Sequence, residues 1–201
     1  MSQRGWATTG KLLFGLCVVL LVIAGAALAF VIRNGVSARS STTATEAMFA
    51  RTMRHFAIPA SARNLRNPLL PTPDALREGR DHFADHCASC HANDGSGKTE
   101  VGQSLYPKTP DMRQPQTQKL SDGEIFYIIR NGVRLTGMPA WGGEHDADEN
   151  WKLVYFIRHL PEVTPAELEE MKRMNPTSPH ERQEQKEEEE FLEGAHKNES
   201  H

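Results

Sequence analysis

Two thiols and an imidazole fall within five residues, Cys87-Ala88-Ser89-Cys90-His91. On a helical turn, positions i, i+3 and i+4 share one face. Both sulfurs can then reach the two vinyl groups of one porphyrin edge while the His91 imidazole reaches the iron. The spacing is the attachment signature of a c-type haem. Two other chemistries use closely spaced thiols. A structural zinc wants a second ligand pair, and the only other cysteine, Cys17, lies in an apolar run. A thioredoxin-like dithiol has no use for His91, and no strand–helix alternation surrounds it.

With Cys87, Cys90 and His91 assigned, the iron has one axial position left. Met138 is the best candidate, in the Gly/Pro-rich stretch Thr136-Gly137-Met138-Pro139-Ala140-Trp141. A thioether is a soft ligand, and His/Met pairing raises the potential of a haem. The alternative use of a methionine is core filler. Pro139, which stiffens the loop, and Trp141, whose N–H can donate near a haem edge, favour ligation. Met1, Met48 and Met53 precede the domain and Met171 and Met174 follow it, while Met112 lies in a polar loop.

Three amphipathic segments must position these groups. Thr72-Pro73 is a helix start, and Leu76, Gly79, Arg80 and Phe83 lead at helical spacing into the Cys87 turn. Gly79 inside that helix implies close approach of another element. Residues 98–119 lack periodicity and read as loop. Ser121-Asp122-Gly123-Glu124 is a capping box opening a helix that Gly132 stops. A last helix starts between Asp146 and Asn150 and carries Trp151, Leu153, Val154, Phe156, Ile157 and Leu160 to Pro161. The expectation is an all-α domain over residues 72–160, with the porphyrin supplying much of the core of a small fold.

The flanks differ in character. Leu12 to Ile32 is 21 residues without a charge, between Lys11 and Arg33, long enough to cross a bilayer core of about 30 Å as a helix. Ala27-Leu28-Ala29 would suit a signal peptidase, but the apolar run continues through Phe30-Val31-Ile32, so 12–32 reads as an anchor after a short segment 1–11. Basic residues flank both ends, and their count does not orient it. Residues 33–71 read as a linker. Within it Met48, Phe49, Met53 and Phe56 fit either a short amphipathic helix or a weakly ordered turn, and a place at a membrane surface stays open for this basic, aromatic stretch. Residues 161–201 form an acidic extension, with one short helix capped by Thr164-Pro165-Ala166-Glu167 and a disordered remainder. Net charge falls from +7 over residues 1–71 to −3 over 72–160 and −7 over 161–201. The basic residues lack the clustering of a nucleic-acid binder. His82, His86, His145 and His159 read as surface histidines, and His180, His196 and His201 carry only a weak metal reading beside the glutamates.

Together Gly79…Phe83…Cys87-Ala-Ser-Cys90-His91, Leu120-Ser-Asp-Gly-Glu-Ile-Phe-Tyr-Ile-Ile-Arg-Asn-Gly132, Gly137-Met138-Pro139-Ala140-Trp141 and Trp151…Leu153…Phe156-Ile-Arg158…Leu160 resemble the class I, monohaem cytochromes c. The resemblance implies one covalent haem c, and it implies that the first and last helices cross at Gly79, packing it and Phe83 against Leu153 and Phe156. Ala92 departs from the glycine that relatives often carry after the histidine, a small change. The implied function is one-electron transfer, not catalysis on a substrate. Implied partners are a quinol-oxidising complex and a terminal oxidase or reductase, or a larger oxidoreductase of which the chain is the haem subunit. The implied location is the bacterial inner membrane with the haem on the periplasmic side. A haem enzyme or a gas or redox sensor with displaceable Met138 is the competing expectation.

Overall fold

The 24 residues Gly10–Arg33, apolar but for Lys11 and Arg33 near their ends, reach a mean hydropathy of 2.9 over 18 residues, and they sit within a single helix, α1 (Gln3–Asn34). At 1.5 Å per residue such a stretch spans about 36 Å. The structure, a computed structural model, describes residues 3–35, 37–143 and 146–176. The described residues divide after Ala38 into two compact units, and they contain helices and no strand.

The second unit is built on a helix crossing. Thr72 caps α4 (Pro73–His82) by accepting from the amide of Ala75, with proline at the first position. The long C-terminal helix α9 (Ala147–His159) lies across it. Gly79 is the crossing point, where a Cβ would collide with the carbonyl of Lys152. Below the crossing, Phe83 and Phe156 are sealed from solvent with ring centroids 5.1 Å apart. The contact that the resemblance implied is therefore present.

A third helix, α8 (Asp122–Asn131), closes the core. The capping box forms as expected: the Ser121 hydroxyl accepts from the Glu124 amide at 3.2 Å, and the Glu124 carboxylate accepts from the Ser121 amide at 2.8 Å. Phe126 stacks on Trp151 of α9 at 4.0 Å between centroids. Arg158 binds the two helices end to end. Its guanidinium donates to the carbonyls of Gln118 and Leu120 and to Asp122, the last at 2.7 Å.

Several segments that look unstructured in the sequence are ordered. Residues 98–119 contain two short helices, α6 (Glu100–Ser104) and α7 (Pro115–Gln118), and bury Met112 in the core. Of the stretch between the apolar helix and the domain, α2 (Ala44–Ala57) is a full helix with its own capping box at Thr43 and Glu46. Beyond it, Ile58 is buried, as is Ala62 in the short helix α3 (Ala60–Arg63), and Ser121 donates to the carbonyl of Arg63. Asn67 donates to the carbonyl of Trp151 at 2.9 Å, and Tyr155 donates to that of Leu69. Residues 58–70 thus act as a strap laid on α8 and α9. At the other end, Thr164 and Glu167 form the expected capping box of α10 (Pro165–Lys172). Met171 is fully buried in the core, a correction to its reading as a residue beyond the domain. The acidic run and His180, His196 and His201 lie outside the described residues, as does His145.

Candidate functional site

Chain geometry changes just where the cysteine motif begins. Residues Phe83–Cys87 form one wide turn in which the Ala88 amide donates to the carbonyl of Phe83, five residues back. One extra residue in a turn rotates everything after it about a third of the way round the axis. The motif therefore stands on its own helical turn, α5 (Ala88–His91), out of phase with α4. Such single wide turns gather at functional sites because they re-aim side chains without ending the helix.

Burial and hydrogen bonding set the chemistry of the motif. Burial pushes the Cys87 thiol up to about 12, with the neighbouring Cys90 adding to the effect. Neither Cys87 nor Cys90 is in a disulfide. Burial likewise pushes His91 down to about 4, so the ring is neutral at physiological pH and keeps a lone pair for a metal. His91 Nδ1 is buried without a hydrogen-bond partner. A neutral imidazole in that state beside two unpaired thiols on one turn is a donor set that suits a thioether-bound haem with a nitrogen axial ligand. The fit rests on these observations. Cys87 and Cys90 would hold the porphyrin and His91 the iron.

The backbone around the motif is tightly held. The Gly97 amide donates to the His91 carbonyl at 2.8 Å, and the Thr99 hydroxyl donates to that of Cys90. Phe83 packs on His91 with centroids 6.4 Å apart. Ala92 then turns the chain with φ 60° and ψ 155°, a region that is essentially reserved for glycine. The substitution noted there is thus not small in conformational terms.

Met138 arrives from the far side of the sequence. Gly132 ends α8 at φ +64°, and the chain folds back so that Val133 donates to the Met138 carbonyl at 3.1 Å. The Met138 amide donates to Thr136 Oγ1, and the amides of Trp141 and Gly142 donate to the carbonyls of Ile129 and Arg130. This hairpin is closed onto the cysteine motif by one ring contact. The Trp141 indole stands edge-on to His86, 5.6 Å away, and His86 is the residue before Cys87. Met138, part-buried, is three residues from that contact.

The histidines sort themselves. His82 and His86 stack at 4.6 Å, and His82, 3.8 Å from Glu149, is held below the usual histidine range mainly by burial. His159 is part-buried and 2.9 Å from Glu167, not a solvated surface group. Among the described residues no cluster of three metal-ligating side chains occurs. Sequence reasoning missed His86 as a packing partner of Trp141 and Arg158 as the clamp on the loop before α8. Their side chains meet residues 55 and about 40 positions away, and no local signal announces such contacts.

Comparison with known proteins points the same way. Residues 74–157 match the family described as cytochrome C oxidase, cbb3-type, subunit III. The chain is 32% identical over 89 residues to a protein named Cbb3-type cytochrome c oxidase subunit FixPc from Rhizobium leguminosarum bv. viciae, covering 44% of this chain and 29% of that protein. It is also 32% identical over 89 residues to Cbb3-type cytochrome c oxidase subunit FixP from Rhizobium meliloti (strain 1021), covering 44% and 28%. The chain thus spans less than a third of the length of these relatives.

Proposed function

We propose that the chain is a membrane-anchored cytochrome c, a reading its similarity to cbb3-type oxidase subunits and its apolar N-terminal helix support, and that it carries single electrons through one covalent haem for a respiratory oxidase complex. Cys87 and Cys90 would hold the porphyrin through thioethers, and His91 and Met138 would hold the iron. The observation that carries this reading is the pairing of a neutral His91, whose Nδ1 has no hydrogen-bond partner, with a Met138 hairpin closed onto the same motif through Trp141 and His86. A haem held there supplies ferric–ferrous exchange without making or breaking a bond in a substrate.

The protein's part is to hold still. The backbone bonds to the His91 and Cys90 carbonyls and the ring contacts of Phe83 lock the proximal turn. The bonds from Val133, Trp141 and Gly142 lock the hairpin. With His91 and Met138 both held by this frame, these residues would leave the haem free to exchange an electron while keeping a substrate out. The similarity to oxidase subunits favours a terminal oxidase as electron acceptor or host complex, with a quinol-oxidising complex as donor. The apolar N-terminal helix acts as a single-pass anchor in the bacterial inner membrane, with residues beyond it on the periplasmic side. Tethering raises the local concentration of the haem near such complexes.

A visible spectrum of the reduced protein with and without carbon monoxide tests this. The expected result is a low-spin haem that carbon monoxide leaves unchanged, and a Met138→Ala variant that turns high-spin and binds the gas. A native haem that already binds carbon monoxide overturns the carrier reading in favour of a sensor or enzyme.

A further inference from the structure

Helix α2 is held to the haem domain by one side and leaves the other bare. Glu46 accepts from the Tyr106 hydroxyl at 2.9 Å, and His55 lies 4.0 Å from Glu124. Arg54 is part-buried, and that burial draws its guanidinium below its ordinary value. On the other side Met48, Phe49, Met53 and Phe56 are 63%, 66%, 51% and 75% exposed. At about 100° per residue these four fall within an arc of roughly 140°, with Arg51 and His55 bordering its Met48 edge. Four large apolar side chains on one helix are an unusual thing to leave in water.

The chain itself limits what can cover them. Nine residues, 35–43, separate the end of the apolar helix α1 from the start of α2. Fully extended they reach about 30 Å, so α2 cannot travel far from a bilayer that α1 crosses. Residues 33–71, on α2's side of that bilayer, carry a net charge of +5, six arginines against Glu46, which suits anionic headgroups. We propose that α2 lies in the headgroup–acyl boundary of the membrane, its Met48, Phe49, Met53 and Phe56 face buried in lipid, and so fixes how the haem domain sits over the bilayer. The inference rests on the reading of α1 as an anchor.

The haem-loaded full chain tests it, reconstituted in phosphatidylcholine vesicles containing phosphatidylglycerol. In a Cys17→Ser background, cysteines are placed singly at Phe49, Phe56, Ala50 and Leu20, and alkylation by a membrane-impermeant maleimide is timed. All four sites are exposed on the protein itself, so the variants leave its packing intact, which the haem spectrum verifies. The expected result is several-fold slower alkylation at Phe49→Cys and Phe56→Cys than at Ala50→Cys, which is turned away from the apolar face. Equal rates at these three, with Leu20→Cys protected, overturn the proposal and leave the anchor standing. Free alkylation at Leu20→Cys removes the anchor and the proposal together. A photo-crosslinker on Phe49→Cys in native membranes separates the occupants: lipid adducts support the proposal, and adducts to another protein overturn it.

Discussion

Ala92 shows how much one side chain can cost beside a cofactor motif. Its backbone lies where only glycine is at ease, at about 1–3 kcal/mol for other residues. The Gly95 amide donates to the Ala92 carbonyl at 3.0 Å and the Ala92 amide to that of Ala88 at 2.8 Å, so the conformation is imposed from both sides. Replacing Ala92 by glycine is expected to raise unfolding free energy by about 1 kcal/mol, read from a denaturant midpoint with an unchanged haem spectrum. A lowered midpoint would show that the methyl group's packing outweighs the strain. A second residue-scale expectation concerns acid. Asp111 accepts from Arg113 at 2.9 and 2.8 Å, and Arg113 also reaches Asp94 at 2.9 Å. These bonds hold Asp111 down to about 2, against 3.8 ordinarily. A carboxyl lowered in the folded state stabilises above its unfolded pKa and loses that contribution as pH falls through the folded one. The loss therefore comes between about pH 4 and pH 2, and because the pair is partly solvated it amounts to about 1 kcal/mol. In Arg113→Gln the stability–pH curve should flatten in that window and be lower above it.

At the scale of elements, the crossing of α4 and α9 decides between two opposed effects at Gly79. Alanine is a better helix former by about 1 kcal/mol, yet its Cβ would strike the Lys152 carbonyl. Overpacking costs about 1–3 kcal/mol, and a backbone carbonyl bonded within a helix cannot swing aside as a side chain can. Gly79→Ala is expected to lower the thermal midpoint, the clash winning by about 1–2 kcal/mol; an equal or higher midpoint would mean the helices can slide apart. Both helices are readable in the sequence, and so are the caps of α4, α8 and α10. Thr72-Pro73, the Ser121–Glu124 box and the Thr164–Glu167 box each form at the residues their pattern names, because a cap is satisfied within four residues. The wide turn at Phe83–Cys87 is not readable in this way. It answers to what α4 must pack against and to where the motif must point.

The whole molecule is larger than the stretch matched to known families. The strap of residues 58–70 lies outside the matched segment, yet it ties into the middle of α9 through Asn67 and Leu69. Asn67 makes two bonds, donating to the Trp151 carbonyl and accepting from the Leu69 amide at 3.1 Å. Asn67→Ala should cost about 1–2 kcal/mol and loosen residues 58–70, which hydrogen exchange would show as faster turnover of their amides than of those in α4. Unchanged exchange would mean the strap is held by Ile58 and Ala62 instead.

Local chemistry was legible from the residues alone. A C-x-x-C-H run and the capping boxes each state a requirement that is met within one or two turns of chain, 21 uncharged residues state theirs by length, and a glycine inside a helix announces a crossing without naming its partner. Tertiary structure alone decided which distant groups meet: Trp141 on His86, Arg158 on the loop before α8, the strap on α9, Met171 in the core. Those contacts join residues dozens of positions apart, and their energy comes from burial and geometry that exist only once the helices have packed.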